Sequence, residues 1–204
     1  MSLPENEIAI PQKEVYTYDD YALLPEGAPY QLIGGKLVMT PAPSTFHQII
    51  CARIQGKLYN HVNEKDLGLV LFSPIDVYFE EKETYQPDII FIAKDRLHII
   101  KSAKVTGAPD LVVEILSPST GYYDLKKKAR IYAKHGVKEY WIADPEDTSI
   151  EVHTGQGGRF VLNQRVEGEG RVRSLILEGF EVQVKDIFAP LDVVTEPGTT
   201  AAPR

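Results

Sequence analysis

Apolar residues along this chain follow two repeating patterns, one typical of helices and one typical of strands. After Ser44, apolar residues recur at helical spacing, so a long helix is predicted with Ser44 as its N-cap. Its apolar positions are Phe46, Ile50, Ile54 and Leu58. A shorter helix is predicted after Thr17 and should end near Pro25. Gly34 and Gly35 separate two short apolar runs, which predicts a tight hairpin.

Strand-like apolar runs dominate the middle of the chain. The runs at residues 69–80 and 85–93 are separated by a short polar segment and are predicted to form a hairpin. A third run at 111–116 is followed by a helical pattern that ends near Gly136, and then by a fourth run at 138–143. This strand, helix, strand order predicts a parallel pair, and Gly-rich turns near the C-terminus predict further hairpin strands. The prediction is an α/β fold with a mixed central β-sheet flanked by helices and with extra β-hairpins at both ends.

Composition sets the broad class of the protein. With 204 residues, 43% hydrophobic and 25% charged, the chain is expected to form a single domain over residues 15–195, between a flexible arm (1–14) and a flexible tail (196–204). The single cysteine, Cys51, allows no internal disulfide and favours a reducing compartment. The sequence shows no basic-then-apolar leader and no run of about 18 apolar residues, so a cytoplasmic protein without a membrane segment is expected.

The net charge limits the kind of nucleic-acid contact that can be expected. A formal charge of −7 argues against a general nucleic-acid coat protein, because non-specific phosphate affinity depends on Lys and Arg. A nuclease is not excluded, since it needs only a local basic rim, and residues 126–130 read KKKAR. Charge must therefore be judged region by region.

Two carboxylates stand at or inside apolar strands in the middle of the chain. Asp88 precedes a β-branched run, and Glu114 lies inside the run at 111–116. Adjacent strands are about 4.8 Å apart, so carboxylates on neighbouring strands can share one divalent cation. Asp110 and Glu114 lie on the same strand with their Cα atoms about 13 Å apart, so they cannot share a cation. A carboxylate buried in such a strand must be paired, protonated or metal-bound, whereas Asp88 alone is also compatible with a simple turn after a proline.

The helix predicted after Glu114 offers a nearby cation. Its apolar stripe comprises Leu125, Ala129 and Tyr132. At about 100° per residue, Lys128 lies about 60° from the first of these residues, at the edge of the stripe. Lys128 is therefore the base best placed to turn toward the end of the Glu114 strand.

The other bases of this helix are candidates for contacts with a nucleic-acid backbone. They are Lys126, Lys127 and Arg130. The alternative is an ordinary solvated basic face, in which Asp124 and Lys128 form a helix pair that contributes only about 0.2–0.5 kcal/mol. Both interpretations remain open at this point.

Several of these features together resemble one known family. They are the proline before Asp88, Glu114 in an apolar strand, the Ser-Pro-Ser turn, the helix that carries Asp124, Lys128 and Tyr132, and GVKEYWIADP at 136–145. Over about residues 16–190 the chain resembles the Uma-type restriction endonuclease-like family of the PD-(D/E)XK nuclease superfamily. YQLIGGKL before TPAPSTFHQ fits the opening segment of that family, and LEGFEVQVKDIF fits its closing segment. The resemblance implies a restriction endonuclease-like core and a nuclease activity, with DNA as the expected substrate.

Two positions depart from the pattern of this family, and one further residue matches it. In the superfamily motif, lysine stands two residues after the acid, but here that position is Leu116. The Uma-type branch supplies the lysine from the following helix, which fits Lys128. The family usually has an acid in the amino-terminal hairpin, where this chain has Gln31, so a third acidic ligand is in doubt. His47 stands where the family commonly has a histidine, although a histidine in a first helical turn is otherwise more often a surface residue.

The residues and the resemblance together predict a metal-dependent endonuclease. Asp88, Glu114 and the backbone carbonyl of Ile115 are expected to bind Mg²⁺, for which Mn²⁺ can substitute, while Lys128 assists the attacking water. Alanine at Asp88, Glu114 or Lys128 is expected to abolish cleavage and leave the fold intact. The candidate accessory residues are Gln31, His47, Asp124 and Tyr132.

The assembly and two alternative functions complete the sequence-based expectations. A homodimer is expected, because two related sites cut two strands most simply. One alternative is a catalytically silent nucleic-acid-binding or scaffold protein that keeps the nuclease fold. The other is a phosphodiesterase that acts on a small nucleotide with the same ligands.

Overall fold

The computed structural model describes residues 12–117 and 122–190 of the chain, and the side chains of residues 122–124 also lie outside the described part. All of the predicted tail (196–204) and most of the predicted arm (1–14) fall outside these residues. Within them, no helix is both long enough and apolar enough to cross a membrane.

The two helices with predicted N-caps begin where the sequence predicts them, whereas the last helix of the described residues, Val184–Phe188, is not predicted. The α-helices in the described residues are α1 (Tyr18–Tyr21), α2 (Thr45–Glu64), α3 (Tyr122–Lys134) and α4 (Val184–Phe188). Thr17 and Ser44 cap α1 and α2, since each hydroxyl accepts a hydrogen bond from a backbone N–H three residues later. Both predicted caps are confirmed, but α1 is a single turn that ends before Pro25.

Thirteen strands form three sheets in the part of the chain that the structure describes. The first seven are β1 (Tyr30–Ile33), β2 (Lys36–Met39), β3 (Gly68–Phe72), β4 (Val77–Glu80), β5 (Glu83–Tyr85), β6 (Ile89–Ala93) and β7 (Val105–Thr106). The others are β8 (Leu111–Ile115), β9 (Glu139–Asp144), β10 (Ser149–Gln156), β11 (Arg159–Glu167), β12 (Arg171–Arg173) and β13 (Glu181–Gln183). The six-stranded sheet has the order β11-β10-β9-β8-β6-β3, the five-stranded sheet has the order β2-β1-β5-β4-β7, and β12 pairs with β13.

The six-stranded sheet is mixed, as the sequence predicts. Strands β8 and β9 are parallel and are connected through α3, whereas the other neighbours in this sheet are antiparallel. The α/β class, the mixed sheet and the terminal hairpins β1–β2 and β10–β11 are confirmed. The single hairpin predicted from residues 69–93 is wrong. That segment forms four strands, in which β3 pairs with β6 and β4 pairs with β5 in the other sheet, because Pro74 has no N–H with which to continue the β3 ladder.

Two apolar layers enclose the six-stranded sheet. On one face, α2 and α4 pack against β6 and β8, and Ile54 and Leu58 of α2 are fully buried there. On the other face lie α3 and the five-stranded sheet. Side chains alternate along β8, so Val113 faces α2 while Glu114 faces α3. The predicted apolar stripe of α2 is confirmed except at Phe46 in its first turn, which is exposed.

Asp110 fixes the start of β8 to its two neighbouring strands. Its buried carboxylate accepts a hydrogen bond of 2.9 Å from the backbone N–H of Ala93, and it forms ion pairs with Arg96 at 2.9 Å and Lys138 at 2.8 Å. Burial alone would raise the pKa of Asp110, but this N–H and the two cations outweigh it and hold the pKa below the usual value. Asp110 is thus a structural clamp, at the end of β8 opposite to Glu114.

Candidate active site

Asp88 and Glu114 meet at one end of the strand pair β6 and β8. These strands are antiparallel with Ile89 opposite Val113, and extending that register by one residue places Asp88 opposite Glu114. Asp88 Oδ2 also accepts a hydrogen bond of 2.7 Å from the backbone N–H of Ile115. The prediction that these two carboxylates belong to adjacent strands is confirmed.

Glu114 lies in a buried pocket of hydrogen-bond donors. Lys128 Nζ lies 3.1 Å from each of the two carboxylate oxygens, and the Tyr132 hydroxyl donates to Oε1 at 2.6 Å. Burial raises the pKa of Glu114, and the negative charge of Asp88 adds to this increase, whereas Lys128 and Tyr132 reduce it. The balance leaves the Glu114 pKa above that of an ordinary glutamic acid.

Helix α3 delivers Lys128 and Tyr132 from the same face. The two residues are four positions apart, about one helical turn, and they are 5% and 0% exposed. The Tyr132 ring makes edge-to-face contacts with two other tyrosine rings, Tyr85 and Tyr140. The prediction that Lys128 turns toward Glu114 is confirmed. The side chain of Asp124 lies outside the described residues, and so does the predicted Asp124–Lys128 pair.

His47 lies beside Asp88 at the start of α2. Its Nε2 is 3.3 Å from Asp88 Oδ2, and the residue is 9% exposed. The hydrogen bond with Asp88 raises the pKa of His47 in spite of the opposing effect of burial. One turn later on α2, burial raises the pKa of the Cys51 thiol to about 12, and the charge of Asp88 contributes to this shift. His47 is therefore a member of the site rather than a surface residue. Cys51 is a buried, uncharged thiol one turn away.

Gln31 fixes the segment that leads to Asp88. Its side-chain oxygen accepts a hydrogen bond of 2.9 Å from the backbone N–H of Gln86, and its Nε2 donates to Thr40 Oγ1 at 3.0 Å. The side chain of Gln86 in turn donates to Asp76 at 2.9 Å. Both ends of the Gln31 amide are thus occupied in holding the chain two residues before Asp88.

The bases of α3 lie on two different sides of the helix. Lys126, Lys127 and Arg130 are all exposed, as predicted. Lys127 Nζ donates to the backbone carbonyl of Ile33 at 3.3 Å and so connects α3 to the β1–β2 hairpin. Lys126 and Arg130 instead line a cleft between α3 and strands β9 to β11. The KKKAR segment therefore does not form one continuous basic surface.

The donor set at the site fits a hard divalent cation. Mg²⁺ is commonly bound through one or two carboxylates, while water and substrate phosphates supply the remaining oxygens, and Asp88 and Glu114 provide two such groups. Oε2 of Glu114 has only Lys128 as a partner among the described residues, so a cation can take this oxygen at the cost of one hydrogen bond. Among the described residues, no three or more His, Cys, Asp or Glu side chains are grouped so that they could hold a metal ion. This agrees with the amide at Gln31, which replaces a possible third acidic ligand.

Tyr140 adds a buried hydroxyl that no sequence pattern reveals. Its ring centroid lies 5.6 Å from that of Tyr132, and its hydroxyl has no hydrogen-bond partner in the described structure. Burial raises the pKa of Tyr140 well above its ordinary value, and the charges of Glu114 and Asp88 add to the shift. Strand alternation places Tyr140 on the same sheet face as Glu114, but no sequence signal shows that its hydroxyl lacks a partner.

The fold and the site together define a restriction endonuclease-like protein, in which carboxylates from two adjacent strands meet a buried lysine from the following helix. The chain belongs to the Uma2 family, whose model, described as "Putative restriction endonuclease", matches residues 16–185. The resemblance predicted from the sequence is confirmed. Membership of this family supports a nuclease-like function.

Two known proteins are similar to the chain over most of their length. "Uncharacterized protein slr1290" of Synechocystis is 26% identical over 159 residues, which covers 76% of this chain and 82% of that protein. The crystal structure of a "putative nuclease belonging to DUF820" from Anabaena variabilis matches with a TM-score of 0.72 at 23% identity, covering 84% of this chain and 97% of the other. The structural match shows that the two proteins share their fold.

Proposed function

We propose that the protein is a Mg²⁺-dependent endonuclease that hydrolyses phosphodiester bonds in DNA. One observation carries the proposal: Asp88, Glu114 and Lys128 come from three separate elements and converge at the end of the central strands. The Uma2 family assignment supports the same function. The proposed metal ligands are Asp88, Glu114 and the backbone carbonyl of Ile115. Mn²⁺ should substitute for Mg²⁺, because both prefer carboxylate, carbonyl and water oxygens.

The proposed mechanism divides the work among the residues of the site. When bound, the metal supplies Lewis acidity, which lowers the pKa of a coordinated water and polarises the phosphoryl oxygen. Lys128 orients the attacking water or offsets the charge that develops on the phosphate. Tyr132 holds Glu114 through its hydrogen bond to Oε1, and the N–H of Ile115 holds Asp88. These two hydrogen bonds restrict the orientation of both carboxylates at the end of the strand pair.

His47 and the exposed bases of α3 are the proposed contacts to substrate phosphates. The pKa of His47 is raised by Asp88, which favours the cationic imidazolium beside the site. Lys126, Lys127 and Arg130 are exposed on the helix that carries Lys128 and can reach the nucleic-acid backbone on either side. Gln31 is proposed to position Asp88 rather than to bind metal.

A plasmid-nicking assay tests the proposed function. Wild type with Mg²⁺ or Mn²⁺ should convert supercoiled plasmid to the nicked form, and EDTA should prevent this. Asp88→Asn and Glu114→Gln should each lower the rate by about 10²-fold or more. The matched control is Asp66→Asn, which changes an exposed acid paired with Lys94 on the surface and should leave the rate unchanged. Nicking by Glu114→Gln at the wild-type rate would contradict the proposal.

The substrate and the assembly need separate measurements. Plasmid DNA, RNA and a small phosphodiester should be compared with one enzyme preparation, and DNA is expected to be cleaved fastest. We also propose that residues 15–195 form a single domain that pairs as a homodimer, because two related sites cut a duplex most simply. Light scattering after size-exclusion chromatography measures the mass directly, and a monomer would contradict the dimer.

A catalytically silent nucleic-acid-binding protein is the second candidate. Two observations favour it: an amide stands at Gln31, and Lys128 occupies both oxygens of Glu114. Calorimetric titration with Mn²⁺ separates the two candidates. Saturable binding that disappears in Asp88→Asn supports the enzyme, whereas no binding at millimolar Mn²⁺ supports the silent form.

A further inference from the structure

A cleft of about 570 Å³ lies between α3 and strands β9 to β11. It begins beside the candidate active site. Leu116, which lines it, lies two residues beyond Glu114 and on the same face by strand alternation, and Leu125 lies about one helical turn before Lys128. Clefts that bind small molecules usually measure about 300–1,000 Å³. The cleft is therefore a ligand-sized extension of the site.

Aromatic rings form one wall of the cleft. The centroids of Tyr140 and Phe160 lie 5.2 Å apart, and their planes differ by 30°. Phe160 is half-buried and so presents part of its ring to the cleft, while Ala129 on α3 leaves space on the opposite wall. Nucleobases stack on such aromatic surfaces with little dependence on sequence. The wall therefore fits a planar heterocycle.

Two arginines at the edge of the cleft have no partner among the described residues. Arg130 comes from α3 and Arg159 from β11, both are exposed, and these two elements pack against each other. Arg165 also lines the cleft, but it is paired with Asp147 at 2.7 Å. Guanidinium groups bind phosphate oxygens through paired, charge-assisted hydrogen bonds. The acids that line the cleft already have partners, so the two arginines favour an anionic ligand at their edge of it; these acids are Asp144, Asp147 and Glu151.

The Tyr140 hydroxyl is an independent sign of a missing partner. Tyr140 is 1% exposed and lines the cleft, yet its hydroxyl makes no hydrogen bond in the described structure. Buried polar atoms without a partner are uncommon in folded proteins. The hydroxyl is itself buried, so a polar atom of a bound heterocycle would satisfy it only after Tyr140 or Phe160 shifts.

We infer that the cleft binds one nucleotide, with the base against Phe160, which packs on the buried Tyr140, and the phosphate at Arg130 and Arg159. The inference rests on the proposed function, since it places a nucleotide beside the carboxylates that would act on the neighbouring phosphodiester. A nucleotide unit of the substrate strand and a free nucleoside monophosphate share this recognition chemistry. Cleavage of duplexes that carry one abasic residue distinguishes these two sources.

Calorimetry with deoxyadenosine monophosphate in EDTA tests the cleft without any metal. Wild type should bind this nucleotide at least tenfold more tightly than either deoxyadenosine or inorganic phosphate. Arg159→Ala and Phe160→Ser should each weaken binding about tenfold or more. Arg159 is exposed, so its removal leaves the core unchanged, and thermal melting verifies that Phe160→Ser is folded. The matched control is Arg173→Ala on β12, which lies outside the cleft and should bind as wild type does.

Three results would overturn the inference. The first is that folded wild type shows no saturable binding at millimolar nucleotide. The second is that phosphate alone binds as tightly as the nucleotide. The third is that Arg173→Ala loses as much affinity as Arg159→Ala. Asp88→Asn separates this test from that of the proposed function, since it should lose cleavage and still bind the nucleotide. If wild type binds the nucleotide but never cleaves plasmid, the proposed function is wrong and the nucleotide-binding inference is kept. If wild type cleaves but does not bind the nucleotide, the cleft alone fails.

Oligonucleotide duplexes with one abasic residue at successive positions assign the source of the nucleotide. If the cleft holds a base of the substrate, wild type should cleave one of these duplexes more slowly, and Phe160→Ser should show no such difference. If all abasic duplexes are cleaved equally while the free nucleotide still binds, the ligand is a free nucleotide. Either result supports the cleft and names its occupant.

Discussion

Replacement of Lys128 by methionine should destabilise the protein strongly. Methionine keeps the length and the apolar stem of the side chain, so the main loss is the ammonium group that lies 3.1 Å from both oxygens of Glu114. Both residues are 5% exposed, and the carboxylate would stay buried with only the Tyr132 hydroxyl beside it. Removal of one partner from a buried ion pair costs about 3–5 kcal/mol, a large part of a typical stability of about 5–15 kcal/mol. For a chain of this size, the expected loss in Tm is about 6–20 °C.

Urea unfolding followed through the fluorescence of the buried Trp141 measures this loss. The control is the double variant with Glu114→Gln and Lys128→Met, which removes both charges and should regain most of the stability, because replacing a whole buried pair is often neutral. The loss of unfolding free energy in Lys128→Met, relative to wild type, should become smaller as the pH falls, because protonation of Glu114 removes the unpaired charge. A single variant as stable as wild type, or a double variant less stable than the single one, would refute this reasoning. The expectation that Lys128→Ala leaves the fold intact is revised for the same reason, and its activity must be measured per folded molecule.

Three further predictions concern the clamp and the positioning residues. Asp110→Asn should lower stability at neutral pH. The folded pKa of Asp110 lies below its ordinary value of 3.8, so its contribution is present above that value and is lost as the pH falls through the lower folded pKa. The difference between the urea midpoints of wild type and Asp110→Asn should therefore be smaller near pH 3 than at pH 7. A difference that stays constant with pH would contradict the clamp. Tyr132→Phe removes the 2.6 Å hydrogen bond to Glu114, and should cost about 1.5–3 kcal/mol and slow plasmid nicking without changing KM. Gln31→Ala should weaken Mn²⁺ binding in calorimetry by loosening the segment before Asp88, and unchanged affinity would remove that role.

The convergence of the three central residues could be predicted from the sequence because each step rests on a strong local rule. The apolar runs around Asp88 and Glu114 are typical of buried strands, and strand spacing limits which carboxylates can meet. Helical periodicity then separates Lys128 from its basic neighbours. The structure confirms all three placements.

Features that depend on long-range contacts could not be predicted in this way. Residues 69–93 divide between two sheets. Pro74 accounts for the end of β3, but the sheet that each strand joins depends on partners that are distant in sequence. The clamp at Asp110 depends on Arg96 and Lys138, which no motif connects to it. Likewise, the amide of Gln31 reaches Gln86 only because β1 and β5 are neighbours. Periodicity identifies faces of elements, but it does not identify which elements meet.

The clamp at the start of β8 has a consequence for how this scaffold can change. Side chains alternate along a strand, so a slip of one residue between β6 and β8 would turn Glu114 away from Lys128 and into the layer beneath α2. The bond from Ala93 to Asp110 sets that alignment at the far end of both strands, and Arg96, in the 94–109 excursion between them, supports it through its ion pair with Asp110. Insertions or grafted loops in this excursion should therefore keep Arg96 and the fully buried Val105 if the acidic pair is to stay aligned.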